Sequence, residues 1–504
     1  MNIFFYLYQY NNGDTMQNKS IWLKDIKTKS SPRLDKNIKV DILIIGGGIT
    51  GISCAYFLKD AGLKIALVDA SKIGYGTTCK TTGKITYLQG PIYQKIKSIY
   101  GLTTAKKYLK SQKYACDLIK NIIINNNIKC NYESNSSYLF SNSSLKKLKK
   151  EINVFNEMSE NYILKKSLPI TFPTKLAIKI EESAVFHPLK YLNNLKDICI
   201  KSNISIYENT PILSLFKEKD GYTAQTKKYI IKAKQVVLAC SYPFFFKPGL
   251  FPFKTYLKKE FVCASITNEP KRFNAIDTSN EVNSIRYHSD NKDYVIYTSM
   301  SNKLGNNMDN KKKYDYLFWK NKTHFGENIK YYWFNYDIMT PDNMPIIGYY
   351  EKNNKNLLIG TGYNAWGMTN GTLAGKIISD LILKNKNEYI DLFDPNRNTN
   401  LKKITKTIDY NIKNITSFIS SKINKKYSFY NKNIKIINEN GKNIGIYTDE
   451  NNIKHKVYIT CPHMKCGLIF NEIDKTWDCP CHGSRFNIDG NAIKGPSIYD
   501  IKIK

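Results

Sequence analysis

Long apolar runs are missing from this chain. No stretch of its 504 residues approaches the roughly 18 uninterrupted apolar positions that a membrane-crossing helix needs, so no span is expected. The opening Ile3–Tyr8 run is too short and too weakly flanked for a signal peptide. Met16 offers a second start, and a cytoplasmic protein with residues 1–38 as an N-terminal extension is expected. Acidic residues are few, 42 against 76 lysines and arginines. The basic residues are spread along the whole chain with Asn and Ile, whereas a nucleic-acid face needs them clustered with aromatics. Nucleic acid is therefore not an expected partner, while the positive charge suits recruitment of an acidic protein. Histidine is scarce, with six residues. Of eleven cysteines, Cys54, Cys79, Cys116, Cys130, Cys199, Cys240 and Cys263 show no spacing and read as buried thiols. The other four crowd into residues 461–481.

What is present begins with Val40–Ile45, an apolar run that reads as a buried parallel strand. It leads into Gly46-x-Gly48-x-x-Gly51, a helical pattern ending near Gly62, a second strand at Lys64–Val68 and the acid Asp69. Gly46 suits a tight turn, Gly48 lets backbone approach a pyrophosphate, and Gly51 lets helix and strand pack closely. The helix N-terminus faces phosphate charge, and Asp69 is placed to accept from a ribose. Together these pieces form a dinucleotide-binding βαβ fingerprint.

Gly74–Lys84 is a loop of small and hydroxyl residues, suited to close approach by a ligand. Helices are expected within 91–125 and 144–160, and buried strands at 204–207, 210–213 and 235–240. Phe261–Ile266, Ser284–Tyr287 and Tyr294–Ser299 alternate like strands of a separate antiparallel sheet. His187 has no evident partner and reads as structural. Arg286, inside that sheet, suits either a bidentate clamp on a substrate carboxylate or a structural ion pair. Further on, Pro345-Ile-Ile-Gly348 precedes a strand at Leu357–Gly360, then Gly362 through Gly371 and a helix. That helix start offers free N–H groups and partial positive charge to a ligand.

These four motifs resemble the FAD-dependent oxidoreductases of the D-amino-acid oxidase, glycine oxidase and sarcosine oxidase group. The resemblance implies an α/β Rossmann-like FAD-binding domain with an inserted α+β substrate domain over residues 39–395. The FAD part falls at about 39–105, 175–250 and 336–390, and the substrate part at about 106–174 and 251–335. It also implies Gly46, Gly48, Gly51, Asp69, Thr77, Thr78, Gly362, Trp366, Gly367, Met368 and Thr369 around FAD. Some relatives attach flavin through a His in the early loop. Lys80 stands at that position, so non-covalent FAD is expected.

Residues 396–430 read as a linker helix, with Leu401, Ile404, Ile408, Ile412, Ile415 and Ile419 on one face. Residues 431–504 read as a small all-β domain. Its loops hold Cys461-Pro-His463-Met-Lys-Cys466 and Cys479-Pro-Cys481-His482-Gly-Ser484. Two cysteines and two histidines suit zinc, and they equally suit a Rieske [2Fe-2S] centre. The boxes, with Gly495-Pro496 downstream, resemble the Rieske proteins of respiratory and photosynthetic cytochrome complexes. That resemblance implies Cys461 and Cys479 on one iron, His463 and His482 on the other, and a disulfide between Cys466 and Cys481. Ser484 stands where relatives donate to a bridging sulfide. Phe486 replaces a donor Tyr, which implies a lowered reduction potential.

The sequence thus predicts a dehydrogenase that oxidises an amine, amino acid or similar small molecule. It would pass electrons singly through the cluster to an unknown acceptor. The alternative is an electron-transfer adaptor with no small substrate. A Rieske oxygenase lacks its further iron ligands, since His187, His288, His324 and His455 show no paired spacing. A nicotinamide-driven reductase lacks a second dinucleotide fingerprint.

Overall fold

The computed structural model describes residues 16–24, 26, 29–242, 254–279, 281–303, 310–326, 328–397 and 433–503. The expected linker helix through Leu401–Ile419 and the first fifteen residues lie outside them. Three bodies of sheet organise the chain.

The first is an eight-stranded sheet. Strand Ile38–Ile45 pairs in parallel with Ile65–Val68 on one side and Ile230–Leu238 on the other. The sheet continues in parallel to Asn354–Thr361. Val40–Ile45 is apolar on both faces because helices cover it on one side and a second apolar layer on the other. The covering helices are Ile49–Leu58 and Gly367–Leu383, which cross at very short range. Glycine permits that crossing. A Cβ built on Gly375 would meet Cys54 N and Ser53 Cβ at 2.6 Å, and one on Gly371 would meet Ile49 Cγ2 at 2.6 Å.

The second is a nine-stranded mixed sheet. Its antiparallel strands include Tyr256–Ile266, Ser284–Ser289 and Asp293–Lys303, as the alternation predicts. Pairing draws more of the chain into it than the expected boundaries allow. Lys84–Ile85, Glu133–Ser141 and Leu176–Val185 hydrogen-bond together there, and Ile329–Met339 remains in it to its end. Residues 210–213 form no strand. The expected helices appear as Tyr93–Tyr100, Leu102–Asn125 and Lys146–Met158. His187 caps the helix Pro188–Lys201, its Nδ1 accepting from Lys190 N at 3.2 Å, which agrees with its structural reading.

The third body is the C-terminal unit, a three-stranded and a four-stranded antiparallel sheet. Three of its strands, Thr476–Asp478, Arg485–Asn487 and Ala492–Lys494, are too short to show periodicity in the sequence. Its small core gathers Trp477, Phe486, Leu468 and Val457 beneath the cysteine loops. It packs on the edge strand of the nine-stranded sheet. The Arg485 guanidinium lies 4.5 Å from the Phe334 ring centroid, and Lys494 Nζ lies 4.2 Å from that of Tyr336. Arg485 is held by ion pairs to Asp474 (2.8 Å) and Asp478 (2.9 Å). Among the described residues no helix is long and apolar enough to cross a membrane.

Candidate flavin and iron–sulfur sites

The first glycine turn is built by contacts that admit nothing larger. Gly46 has φ +113°, and a Cβ there would meet Ala239 O at 2.5 Å. Gly51 is tighter still, since its Cβ would lie 1.9 Å from Gly46 O. The helix that follows starts at Gly48 without a side-chain cap. Its first N–H groups are therefore available to an anion, save that Ile49 N donates to Thr78 Oγ1 at 3.1 Å. Of the two threonines expected from the early loop, Thr78 reaches this helix end, while Thr77 precedes the short turn Thr78–Lys80.

Asp69 closes the second strand and accepts from Gly47 N (2.7 Å) and Ser71 N (2.8 Å). Burial raises its carboxyl above the ordinary range, against those two N–H bonds. A carboxylate has about four acceptor positions, which leaves room for a ribose hydroxyl.

The second expected motif converges on this region from the other helix. Gly362 has φ +73° and sits against Thr340. Trp366 precedes the helix without a capping side chain, Gly367 opens it, and Met368 and Thr369 are buried in its first turn. Gln89 Nε2 donates to Thr369 Oγ1 at 3.0 Å, and Gln112 Nε2 to Asn370 Oδ1 at 2.9 Å. Two uncapped helix N-termini on tightly crossed helices, with a glycine turn beneath each, fit a dinucleotide whose charge and flavin edge need N–H donors.

Arg286 does something other than clamp a substrate. It is fully buried, and its guanidinium donates to the carbonyls of Thr82, Gly83 (3.1 Å) and Phe186 (2.8 Å). It also stacks 4.8 Å from the Trp22 ring, and Trp22 Nε1 holds Thr81 O at 2.6 Å. The side chain therefore shapes the flavin-side loop. Arg286→Met should destabilise the protein by about 3 kcal/mol, because the carbonyls of Thr82 and Phe186 lose this donor and Gly83 O keeps only Phe186 N. Denaturant unfolding of the two proteins checks this, and an unchanged midpoint would refute it.

In the C-terminal unit the structure sets the expected ligands in two pairs, Cys461 beside Cys479 and His463 beside His482. Cys461 and Cys479 are buried, and each lies in a tight loop, closed by Cys461 N to Cys466 O and Cys479 N to Ser484 O, both 2.8 Å. The His463 and His482 rings stand 5.1 Å apart. Nδ1 of each is buried with no hydrogen-bond partner among the described residues. Buried orphan imidazole nitrogens on two adjacent rings are what a metal would satisfy. Burial holds both rings neutral, His463 down to about 4 and His482 to about 3, helped at His482 by its neighbour. The hydrogen bond between Cys461 and Cys479 lowers the Cys461 thiol and, with burial, pushes the Cys479 thiol up. Cys466 and Cys481 form a disulfide. They are thereby removed from the ligand set, although the sulfurs of both lie within 4.8 Å of Cys479. Ser484 Oγ accepts from Ser497 N at 2.9 Å, which ties the downstream loop to the cluster loops. Two buried cysteine sulfurs, which a metal would hold as thiolates, and two neutral imidazoles fit a Rieske centre.

One residue at this site carried no signal in the sequence. Tyr242 lies beyond the end of strand Ile230–Leu238, its ring 5.1 Å from His482 and 6.1 Å from His463.

Comparison with known proteins agrees with the geometry. Residues 41–381 match the family model "FAD dependent oxidoreductase" (DAO), and residues 422–503 match "Rieske [2Fe-2S] domain". A Bacillus subtilis (strain 168) protein named as a Rieske 2Fe-2S iron-sulfur protein, YhfW, is 31% identical over 495 residues. That alignment covers 96% of this chain and 97% of YhfW. Among solved structures, an L-amino acid deaminase from Proteus vulgaris superposes with TM-score 0.61 at 18% identity, covering 75% of this chain and 98% of its own. Glycine oxidase from Bacillus cereus gives 0.58 at 17% identity, covering 71% and 99%. At these identities the likeness is one of fold.

Proposed function

This chain belongs to the DAO family of FAD-dependent oxidoreductases and carries a C-terminal Rieske [2Fe-2S] domain, and from that premise we propose a dehydrogenase that exports electrons one at a time. Its substrate on this reading is an amine, amino acid or similar small molecule, and its final acceptor is an external one-electron carrier. FAD, held without a covalent link, supplies hydride acceptance, and the cluster supplies one-electron transfer.

The reading is carried by one observation: the cysteine–histidine loops are packed on the flavoprotein part of the same chain. Gly483, between His482 and Ser484, abuts Leu257 and Tyr336, beside the Arg485–Phe334 and Lys494–Tyr336 stacks.

A second observation favours an enzyme over an adaptor. Trp333 Nε1 donates to Lys80 O (2.9 Å) and Lys84 Nζ to Ser284 Oγ (2.6 Å). One face of the nine-stranded sheet is therefore turned to the flavin-side loop. On that face Thr298 Oγ1, Ser301 Oγ and Asn335 Oδ1 are buried and have no hydrogen-bond partner among the described residues. Ser301 and Asn335 flank Glu260 across the strands. Such orphans are rare in folded proteins, and a polar ligand would satisfy them.

The deciding experiment is anaerobic titration of the holoprotein with amines and amino acids. Bleaching of the flavin followed by reduction of the cluster supports the dehydrogenase. No bleaching by any of them, with rapid reduction by a protein donor, supports the adaptor.

Phe486 is fully buried and pairs with Trp477 across the strands. The Phe486→Tyr variant is expected to raise the midpoint potential of the cluster, because a hydroxyl donor stabilises its more negative reduced form. A redox titration with an unchanged or lowered midpoint would contradict this.

A further inference from the structure

We propose that Tyr242 is a positioning residue that sets the two cluster histidines against the flavin-binding domain, and that electrons enter the cluster across this contact. The inference rests on the flavin-to-cluster relay above and assigns it a route.

The chain around Tyr242 is fastened to both glycine turns of the flavin site. Ala239 N donates to Ile45 O at 2.8 Å, and Ala239 O occupies the space a side chain on Gly46 would need. Ser241 turns the chain with φ +63°, and its carbonyl accepts from Thr361 Oγ1, next to Gly362. Tyr242 N then closes a tight turn onto Cys240 O at 2.8 Å. Three residues thus run from the first dinucleotide turn, past the second, to the rings of His482 and His463. The carboxyl ends of parallel strands are where ligands of such sheets bind, so this route starts beside the flavin.

The Tyr242 ring also joins the apolar clusters of both large sheets. It meets His482 at an interplanar angle of 43° and His463 at 85°, so one ring is packed on both imidazoles. The C-terminal unit is held over it by the Phe334 and Tyr336 stacks and by Asn18 Nδ2 donating to Asp474 at 2.7 Å. A tyrosine at this junction fixes the spacing between two redox sites without being oxidised itself. With both groups bound, each crossing would take one electron from reduced flavin and reduce one ferric ion, the flavin proton would pass to solvent, and an external one-electron oxidant would empty the cluster before the second crossing.

The test uses full-length holoprotein, native and as Tyr242→Phe, Tyr242→Leu and Tyr242→Ala, each loaded with both cofactors. A photochemical pulse delivers one electron, and its redistribution between flavin and cluster is followed optically. Tyr242→Phe should behave as the native protein, since the ring is kept. Tyr242→Ala and Tyr242→Leu should redistribute about tenfold more slowly or worse, as small misplacements of reacting groups cost orders of magnitude. Their reduced clusters should also show shifted g-values at unchanged iron content. Redistribution at the native rate with native g-values in either variant overturns the assignment. The leucine variant, closer in volume, decides the matter if the alanine variant loses iron. If the native holoprotein shows no redistribution at all, the relay itself fails. Equal redistribution in all four proteins removes only the role of Tyr242.

Discussion

A protein in which His482 is replaced by alanine is expected to purify with its flavin and without its cluster. His482 and His463 present the two orphan Nδ1 atoms of the C-terminal unit, and one cannot replace the other. Their rings are 5.1 Å apart on separate loops, each loop pinned by its own cysteine N–H bond. With a single imidazole the outer iron has half its protein ligands, and a Rieske centre uses both. Iron per chain should fall to near none, and the signal after dithionite should vanish. The loss should stay local, because the flavin motifs lie in another sheet and the disulfide Cys466–Cys481 still joins the two loops. With a substrate that bleaches the flavin, bleaching should persist while reduction of a one-electron acceptor collapses. Full iron content and an unaltered signal would show that His482 is not a ligand.

The second large effect is expected at Gly51. A valine there should give nearly colourless protein of much lower stability. The first carbon of the new side chain would lie 1.9 Å from Gly46 O and 3.2 Å from Ile44 Cγ2. Neither can yield. Ile44 is in a strand bonded on both sides, and Gly46 N donates to Val68 O at 2.8 Å. The helix must move away from the strand instead, which costs about 1–3 kcal/mol or more as overpacking. That movement opens the glycine turn proposed to take the pyrophosphate, and it disturbs the crossing that Gly371 and Gly375 hold with the second helix. Flavin absorbance per chain and the thermal midpoint measure the two effects separately. Stoichiometric flavin in Gly51→Val would contradict this account of the turn.

Sequence-level reasoning worked where one short segment carries the physics. The glycine turn, its uncapped helix and Asp69 are consecutive, and their geometry follows from local sterics and the helix end. The cysteine–histidine boxes are legible for the same reason, because spacing within a loop sets which side chains can meet. Arg286 was legible only as a cation in a strand. The carbonyls it holds come from residues 82, 83 and 186, about one hundred and two hundred positions away. Neither a substrate clamp nor an ion pair resulted, because its partners are backbone carbonyls and the Trp22 ring, contacts the strand itself does not encode.

What the chain encodes locally is therefore its pair of prosthetic-group sites, each read from a motif of a dozen or so residues. What only tertiary structure decided is how the sheets that carry those motifs pack together. Lys84–Ile85 and Leu176–Val185 entered the second sheet by pairing with each other across the chain. The C-terminal unit came to rest on Phe334 and Tyr336, and the Tyr242 ring came against both histidines. Packing of apolar and aromatic surface is non-directional and indifferent to sequence separation. Such contacts leave no period or spacing by which to foresee them.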